Sequence, residues 1–344
     1  MPRSVWTVRS ASLIGYAELA QQVGLDPHAM LRGAGLNAKQ LADPDTPIST
    51  SGASRLLEAS AVASGVEDFG LRLARTRKLS NLGPISVVMR EAKTAREAIE
   101  NLCRYMQFLN TSLLARIEEH EGISVVRLEL LTDGRESVRQ STEGAVGVLF
   151  RAIAELLGPH WKPVRVCLEH RPPHGPTIHK AMFGASVEFN APFNAIVCAA
   201  RDLSASLSAP DSHMAPYARR FLDQAVTSPS GGATNNARRV IIALLPSGRC
   251  TADQVAKTLG IARRTLHRHL FAEGTSFVAL LRTIRCEFAS RHLVDSDRPL
   301  TEVAELLGFS TPSAFAFWFR RNFGVTASAW KQRQGRVQTK VRPG

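Results

Sequence analysis

The sequence predicts an α+β N-terminal domain followed by an all-α C-terminal domain with two helix-turn-helix units joined by a long linker helix. Three observations predict it. Over the first two thirds of the 344 residues, helical patterns mingle with a few separated strand patterns, without a βαβ rhythm. The last third is almost purely helical and contains an internal repeat. The net charge of +13 is unevenly placed: residues 234–344 hold 18 Lys and Arg against 7 Asp and Glu, whereas residues 1–233 hold 25 against 23. A basic module joined to a near-neutral one suggests a binder of nucleic acid or another anionic surface.

In the first domain, helical patterns cover about 12–23, 27–34, 50–64 and 94–115. The last places Ala98, Leu102, Tyr105 and Leu109 at helical spacing. Glu118 and Glu119, near Glu121, read as a solvated helix end. ISVVRLELL (123–131) reads as a strand, and a long helix follows at about 138–157. VRVCL (164–168), SVEFN (186–190) and NAIVCAA (194–200) read as short strands. Residues 209–216 and 227–236 are rich in Pro, Gly, Ser and Asn and read as loops, with a short helix in YARRFLDQAV (217–226) between them. The expected limits are 1–210 for a regulatory domain, 211–235 for a linker, 236–335 for the helical domain and 336–344 for a basic tail.

In the helical domain, NARRVIIALL (236–245) is amphipathic and stops at Pro246-Ser247-Gly248. Thr251 and Gln254 fit the spacing of a capping box, so a helix starts there. SFVALLRTIRCEFASRHLV (276–294) puts Phe277, Leu280, Leu281, Ile284 and Phe288 on one stripe, and its 19 residues would span roughly 28 Å. The repeat aligns ADQVAKTLGI (252–261) with LTEVAELLGF (300–309) at an offset of 48. After the glycine the second copy has one extra residue, so Leu266 matches Phe315 and Leu270 matches Phe319. Each copy reads as a short helix, a turn at Gly260 or Gly308, and a second helix. In such a motif the second helix enters the major groove.

Residues 236–334 resemble the C-terminal DNA-binding domain of the AraC/XylS family of bacterial transcription regulators. The most specific stretch is LTEVAELLGFSTPSAFAFWFRRNFGVTASAWKQ, and EGTSFVALLRTIRCEFASRHL resembles the family's linker helix. LGPISVVMREAKTAREAIENLCRYMQFL and FGASVEFNAPFNAIVCAARDL resemble the effector-binding domain of one AraC subgroup, over roughly 12–210. That subgroup includes regulators of amino-acid and small-molecule catabolism. Its domain is α+β and differs from the sugar-binding cupin type.

The first recognition helix is expected from about Ala262 to Phe271, seated by Leu266 and Leu270. Arg263, Arg264, Thr265, His267 and Arg268 then form its DNA-binding set. Arginine reads guanine bidentately or clamps phosphate, and histidine can donate to or accept from a base edge. The resemblance implies that Arg264, His267 and Arg268 reach bases, with Arg263 holding phosphate. In the second helix Thr311 is a natural N-cap and Pro312 fits the first turn. Phe315, Phe319 and Trp318 pack inward, leaving Pro312, Ser313, Ala316, Phe317 and Arg320 outside. Arg320 and Arg321 suit phosphates. Phe317 stands where the family usually has a polar residue, and it can only touch a thymine methyl. Its blander role is an added core aromatic.

Two such units would meet major-groove segments roughly 34 Å apart. A monomer would then cover an asymmetric site, and a homodimer a direct or inverted pair. The resemblance implies a transcription regulator, commonly an activator, that binds double-stranded operator or promoter DNA. It also implies a small organic effector in the N-terminal domain and a contact with RNA polymerase. The alternative is a ligand-independent architectural DNA-binding protein.

Other chemistry finds little support. Cys103, Cys167, Cys198, Cys250 and Cys286 are scattered and form no C-x-x-C pair, so neither disulfides nor a zinc site is expected. His170, His174 and His179 lie in a Pro-rich stretch that reads as a surface loop. There is no phosphate-binding, nucleophile-elbow or H-E-x-x-H motif. No enzyme activity and no cofactor are therefore expected. No long apolar run and no secretory signal is read, so a cytoplasmic location is expected.

Overall fold

A computed structural model of the chain describes residues 6–131, 137–175, 177–207, 214–227, 232–245, 248, 250–259, 261–295 and 298–340. It divides into two compact units, the division falling after residue 228. Among the features expected above, Pro246, Ser247, Gly260, half of the two loops (209–213 and 228–231) and the last four tail residues lie outside the described residues.

The first unit begins with β1 (Thr7–Arg9), α1 (Tyr16–Gln22), α2 (Pro27–Gly33), β2 (Pro47–Ser49), α3 (Thr50–Ser64) and α4 (Phe69–Arg75). β1 and β2 pair antiparallel, with Val8 opposite Ile48. Tyr16, Leu31, Ile48, Leu56 and Phe69 bury together in one core. Next come α5 (Pro84–Arg90), α6 (Ala95–Leu109), β3 (Leu113–His120), β4 (Ile123–Leu130) and α7 (Arg139–Leu157). The unit closes with β5 (Arg165–Cys167), α8 (Thr177–Phe183), β6 (Ser186–Glu188), β7 (Asn194–Ala199), α9 (Ala200–Leu203) and α10 (Ala215–Thr227). The main sheet has the order β3-β4-β7-β5-β6 and is antiparallel except for β5 with β6. α6 and α7 bury Leu102, Tyr105, Val146 and Ile153 in the same core as Val126, Leu128 and Ile196 of the sheet. α4 lies tight against α7, since a side chain at Gly70 would overlap the Gln140 carbonyl. A cavity of about 170 Å³ remains among α3, α4, α6 and α7.

The expectations for residues 94–121 change. The helix expected over 94–115 ends at Leu109, and Glu118 lies in strand β3. There Glu118 accepts from Arg116 at 2.7 Å and Arg127 at 3.2 Å, so it is an ion-paired strand residue instead of a helix end. The short helix between the two loops forms as α10 and packs on α5 and α6. Leu222 is buried, the Tyr105 hydroxyl donates to Asp223 at 2.8 Å, and the Phe221 ring meets Phe108 edge-on at 5.7 Å. An amphipathic helix must bury its apolar side somewhere, and this one does so within the first unit.

The histidine stretch is not a surface loop. His170 and His179 are buried against Glu143 of α7, at 3.0 and 3.3 Å, and Arg139 donates to the same carboxylate at 3.2 Å. His174 alone stays exposed, on Glu67 at 2.8 Å. Burial pushes the Glu143 carboxyl up, but the hydrogen bonds from His170 and His179 outweigh it and hold it well below the usual range. A buried carboxylate needs such partners.

The second unit consists of α11 (Ala233–Leu244), α12 (Ala252–Thr258), α13 (Arg263–Ala272), α14 (Phe277–Asp295), α15 (Leu300–Leu306), α16 (Pro312–Phe323) and α17 (Ala327–Lys340). Thr251 caps α12 by accepting from the Gln254 amide at 3.2 Å. The first amides of α11 donate to Glu273, from Ala233 at 2.6 Å and Thr234 at 2.9 Å. α14 packs against α11, α15 and α17, burying Phe277, Leu280, Ile284 and Phe288, with Leu281 half-buried.

Candidate nucleic-acid interface

α12 and α15 begin 48 residues apart, at Ala252 and Leu300, whereas α13 and α16 begin 49 apart, at Arg263 and Pro312. The extra residue of the second copy therefore falls in its turn. Leu266, Leu270, Phe315 and Phe319 are all buried. The same offset of 49 pairs Arg264 with Ser313, His267 with Ala316 and Arg268 with Phe317.

The second turn is held from outside its own pair. Gly308 adopts φ 70°, and a side chain there would overlap the Leu245 carbonyl. Arg285 of α14 donates to the carbonyls of Leu307 at 3.0 Å and Gly308 at 3.2 Å, with its guanidinium 4.3 Å from the Phe309 ring centroid. Sequence reasoning missed Arg285. An arginine beside Ile284 on a core-packing helix is a weak signal, because its partners stand more than twenty residues away.

Thr311 caps α16 by accepting from the Ala314 amide at 3.2 Å, and Pro312 occupies the first turn. Behind the helix Phe319 and Phe323 stack at 4.1 Å, Trp330 of α17 meets Phe323 at 5.0 Å, and Trp318 meets Phe309 at 5.2 Å. Phe317 shares none of this. It is 73% exposed, so the expectation that it deepens the core does not hold. A helix turning about 100° per residue cannot present Phe317 to the face that holds Phe315 and Phe319.

On α13, Arg263, Arg264, His267 and Arg268 are exposed and Thr265 is half-buried. On α16, Pro312, Ser313, Ala316, Phe317, Arg320 and Arg321 are exposed, as is the capping residue Thr311. Neither helix carries an acidic residue. Arg263 is paired with Asp253 of α12 at 3.0 Å, but both side chains are more than half exposed, so the pair is weak and exchangeable. Among the described residues, Arg264, Arg268, Arg320 and Arg321 have no carboxylate partner. Four uncompensated guanidiniums on two exposed helices suit a polyanion.

Helix pairs of this form, in one chain with a separate α+β unit that carries a half-open pocket, define a two-domain transcription regulator with a DNA-binding helix-turn-helix domain. The chain belongs to the AraC family of transcription regulators. Residues 24–207 match the family described as the arabinose-binding domain of AraC transcription regulator, N-terminal, and residues 255–333 match a helix-turn-helix domain. The chain is 31% identical over 331 residues to the HTH-type transcriptional regulator VirS of Mycobacterium tuberculosis, covering 94% of this chain and 96% of that one. It is 24% identical over 326 residues to the ornithine utilization regulator of Pseudomonas aeruginosa, covering 93% and 96%. The crystal structure of the transcriptional regulator CdpR from Pseudomonas aeruginosa matches with a TM-score of 0.43 at 22% identity, covering 89% of this chain and 96% of that one. The protein is a regulator and not an enzyme. Among the described residues, no helix is long and apolar enough to cross a membrane.

Proposed function

We propose that this regulator is an activator whose two helix pairs divide the work on DNA. α13 reads bases by hydrogen bonds through Arg264, His267 and Arg268, while Arg263 leaves Asp253 for a phosphate. α16 supplies position and shape: Ser313 hydrogen-bonds phosphate or base, Phe317 touches a thymine methyl, and Arg320 and Arg321 grip phosphate. Thr265, Thr311, Pro312 and Ala316 complete the two faces. The observation that carries this reading is the equivalence of Arg268 and Phe317, two exposed side chains of opposite chemistry at one position of the repeat.

A small organic effector in the first unit changes how the second engages DNA or RNA polymerase. It does so by binding one conformation better than the other, since equal affinity for both would shift nothing. A homodimer would place two such readers on paired sites. The test uses the full chain, DNA from the promoters next to its gene, and a transcriptional reporter. Sequence-selective protection of two major-groove segments roughly 34 Å apart is expected. Reporter output should fall when the gene is deleted. Output that rises instead overturns activation.

A further inference from the structure

The cavity of the first unit is walled mainly by carbon, including Leu57, Leu102, Met106, Leu128, Val148 and Leu149. Two polar groups on its wall lack what burial normally demands. Arg77 is 4% exposed and donates to the backbone carbonyls of Ala11 at 2.8 Å and Ser12 at 2.5 Å, yet no carboxylate pairs with it among the described residues. Burial brings its guanidinium down only to about 10, so it is charged at neutral pH. Thr50 is 6% exposed, and its hydroxyl has no hydrogen-bond partner among the described residues. Elsewhere on the wall, the hydroxyls of Ser54 and Ser141 meet at 3.0 Å, and Arg9 is paired with Asp45. A buried cation without a counter-ion and an orphan hydroxyl both carry a desolvation cost that a ligand would remove.

These groups select a ligand. A sugar would bury a hydroxyl on nearly every carbon against aliphatic walls, at a cost of about 1–3 kcal/mol for each one left unpaired. An amine or amino acid would find no counter-ion, because neither Asp nor Glu lines the cavity. An apolar cavity of about 150 Å³ accommodates benzene, so the 170 Å³ of this half-open pocket has room for a body of at least that size with one small polar group.

We infer that the cavity binds a small apolar monocarboxylate, its anion on the Arg77 guanidinium, with the Thr50 hydroxyl as a second hydrogen-bonding group. This rests on the proposal that the first unit holds the effector, and it names that effector's chemical class. Hydrocarbon against Leu102, Leu128 and Leu149 supplies affinity, and the charged hydrogen bond supplies selectivity over neutral analogues.

Calorimetric titration of the full chain tests it, with benzoate and hexanoate as probes, benzyl alcohol and hexanol as neutral matches, and L-arabinose as the polyol. Saturable binding of a carboxylate, at least tenfold tighter than its alcohol, is expected, with no arabinose binding. Arg77→Gln should erase that preference. Because Arg77 also ties the Ala11 and Ser12 carbonyls, Ala145→Leu serves as a second variant. It fills the cavity while keeping the Arg77 guanidinium in the chain, and should abolish binding of every probe. Thr50→Val should weaken carboxylate binding severalfold. Equal affinity for acid and alcohol, binding of arabinose alone, no binding by any probe, or carboxylate binding that survives Ala145→Leu each overturns the inference. The DNA titrations use no probe. Intact operator binding with silent probes therefore removes only the ligand class, whereas absent operator binding removes the regulatory reading whatever the probes do.

Discussion

α13 and α16 hold equivalent places in their helix pairs and use their surfaces in opposite ways. α13 sits on two leucines and gives most of its remaining surface to arginine and histidine. α16 sits on a ring assembly of Phe315, Trp318, Phe319 and Phe323. It exposes Ser313, Ala316 and Phe317 where α13 exposes Arg264, His267 and Arg268. Seating and reading are thus set by different positions of the same helix. A pair of residues four apart anchors the seat in each helix, and the exposed positions, 264, 267 and 268 in α13 and 313, 316 and 317 in α16, are free to change chemistry.

The largest expected effect tests the seat. Phe319→Ala should destabilise the second unit by about 3–5 kcal/mol, measured by urea unfolding, because a fully buried ring leaves a cavity. Leu270→Ala should cost less, near 2–3 kcal/mol. Equal losses would break the contrast between an aromatic and an aliphatic seat.

The reading positions come next. Arg268→Ala should weaken operator binding by about 1–3 kcal/mol and relax one base position. Phe317→Ala should cost less, relax no hydrogen-bonded position, and leave stability within about 0.5 kcal/mol, as suits an exposed side chain. Binding to a panel of single-base operator variants checks both. A greater loss of selectivity from Phe317→Ala would reverse the proposed division of labour. Arg320→Ala should act uniformly across that panel and lower the salt slope of log K by about 0.9, the signature of one lost phosphate contact.

The smallest effect concerns the end of α13. Burial alone would push the Glu273 carboxyl up, but donors on Thr234 and Ala233 hold it below the ordinary range. A depressed carboxyl contributes stability above its unfolded value, near 4.5, and that contribution is lost as pH falls through the folded value. Unfolding midpoints taken from pH 7 to pH 3 should fall less steeply in Glu273→Gln. The change should be slight, because the side chain is largely solvated.

Much of the architecture was legible because it depends on residues close along the chain. α3 spans Thr50–Ser64 as its periodicity predicts, and Thr251 and Thr311 cap helices where their spacing predicts caps. β3 is not legible because LLARIEEH lacks a clean apolar alternation: its charges are satisfied across the sheet, where Glu118 accepts from Arg116 and from Arg127 of β4. Of the two roles left open for Phe317, only packing could choose.

By itself the sequence determined the α+β to all-α order, the repeat with its offset, the buried pairs that seat α13 and α16, and the basic excess of the last third. Each follows from local period, capping or composition. Only the tertiary structure decided where distant polar groups find partners: Glu143 with His170 and His179, Arg285 on the Leu307–Gly308 turn, and Arg77 on the carbonyls of Ala11 and Ser12 beside the cavity. Those partners stand tens of residues apart, and a buried charge is satisfied by whatever the fold brings to it, which no local pattern encodes.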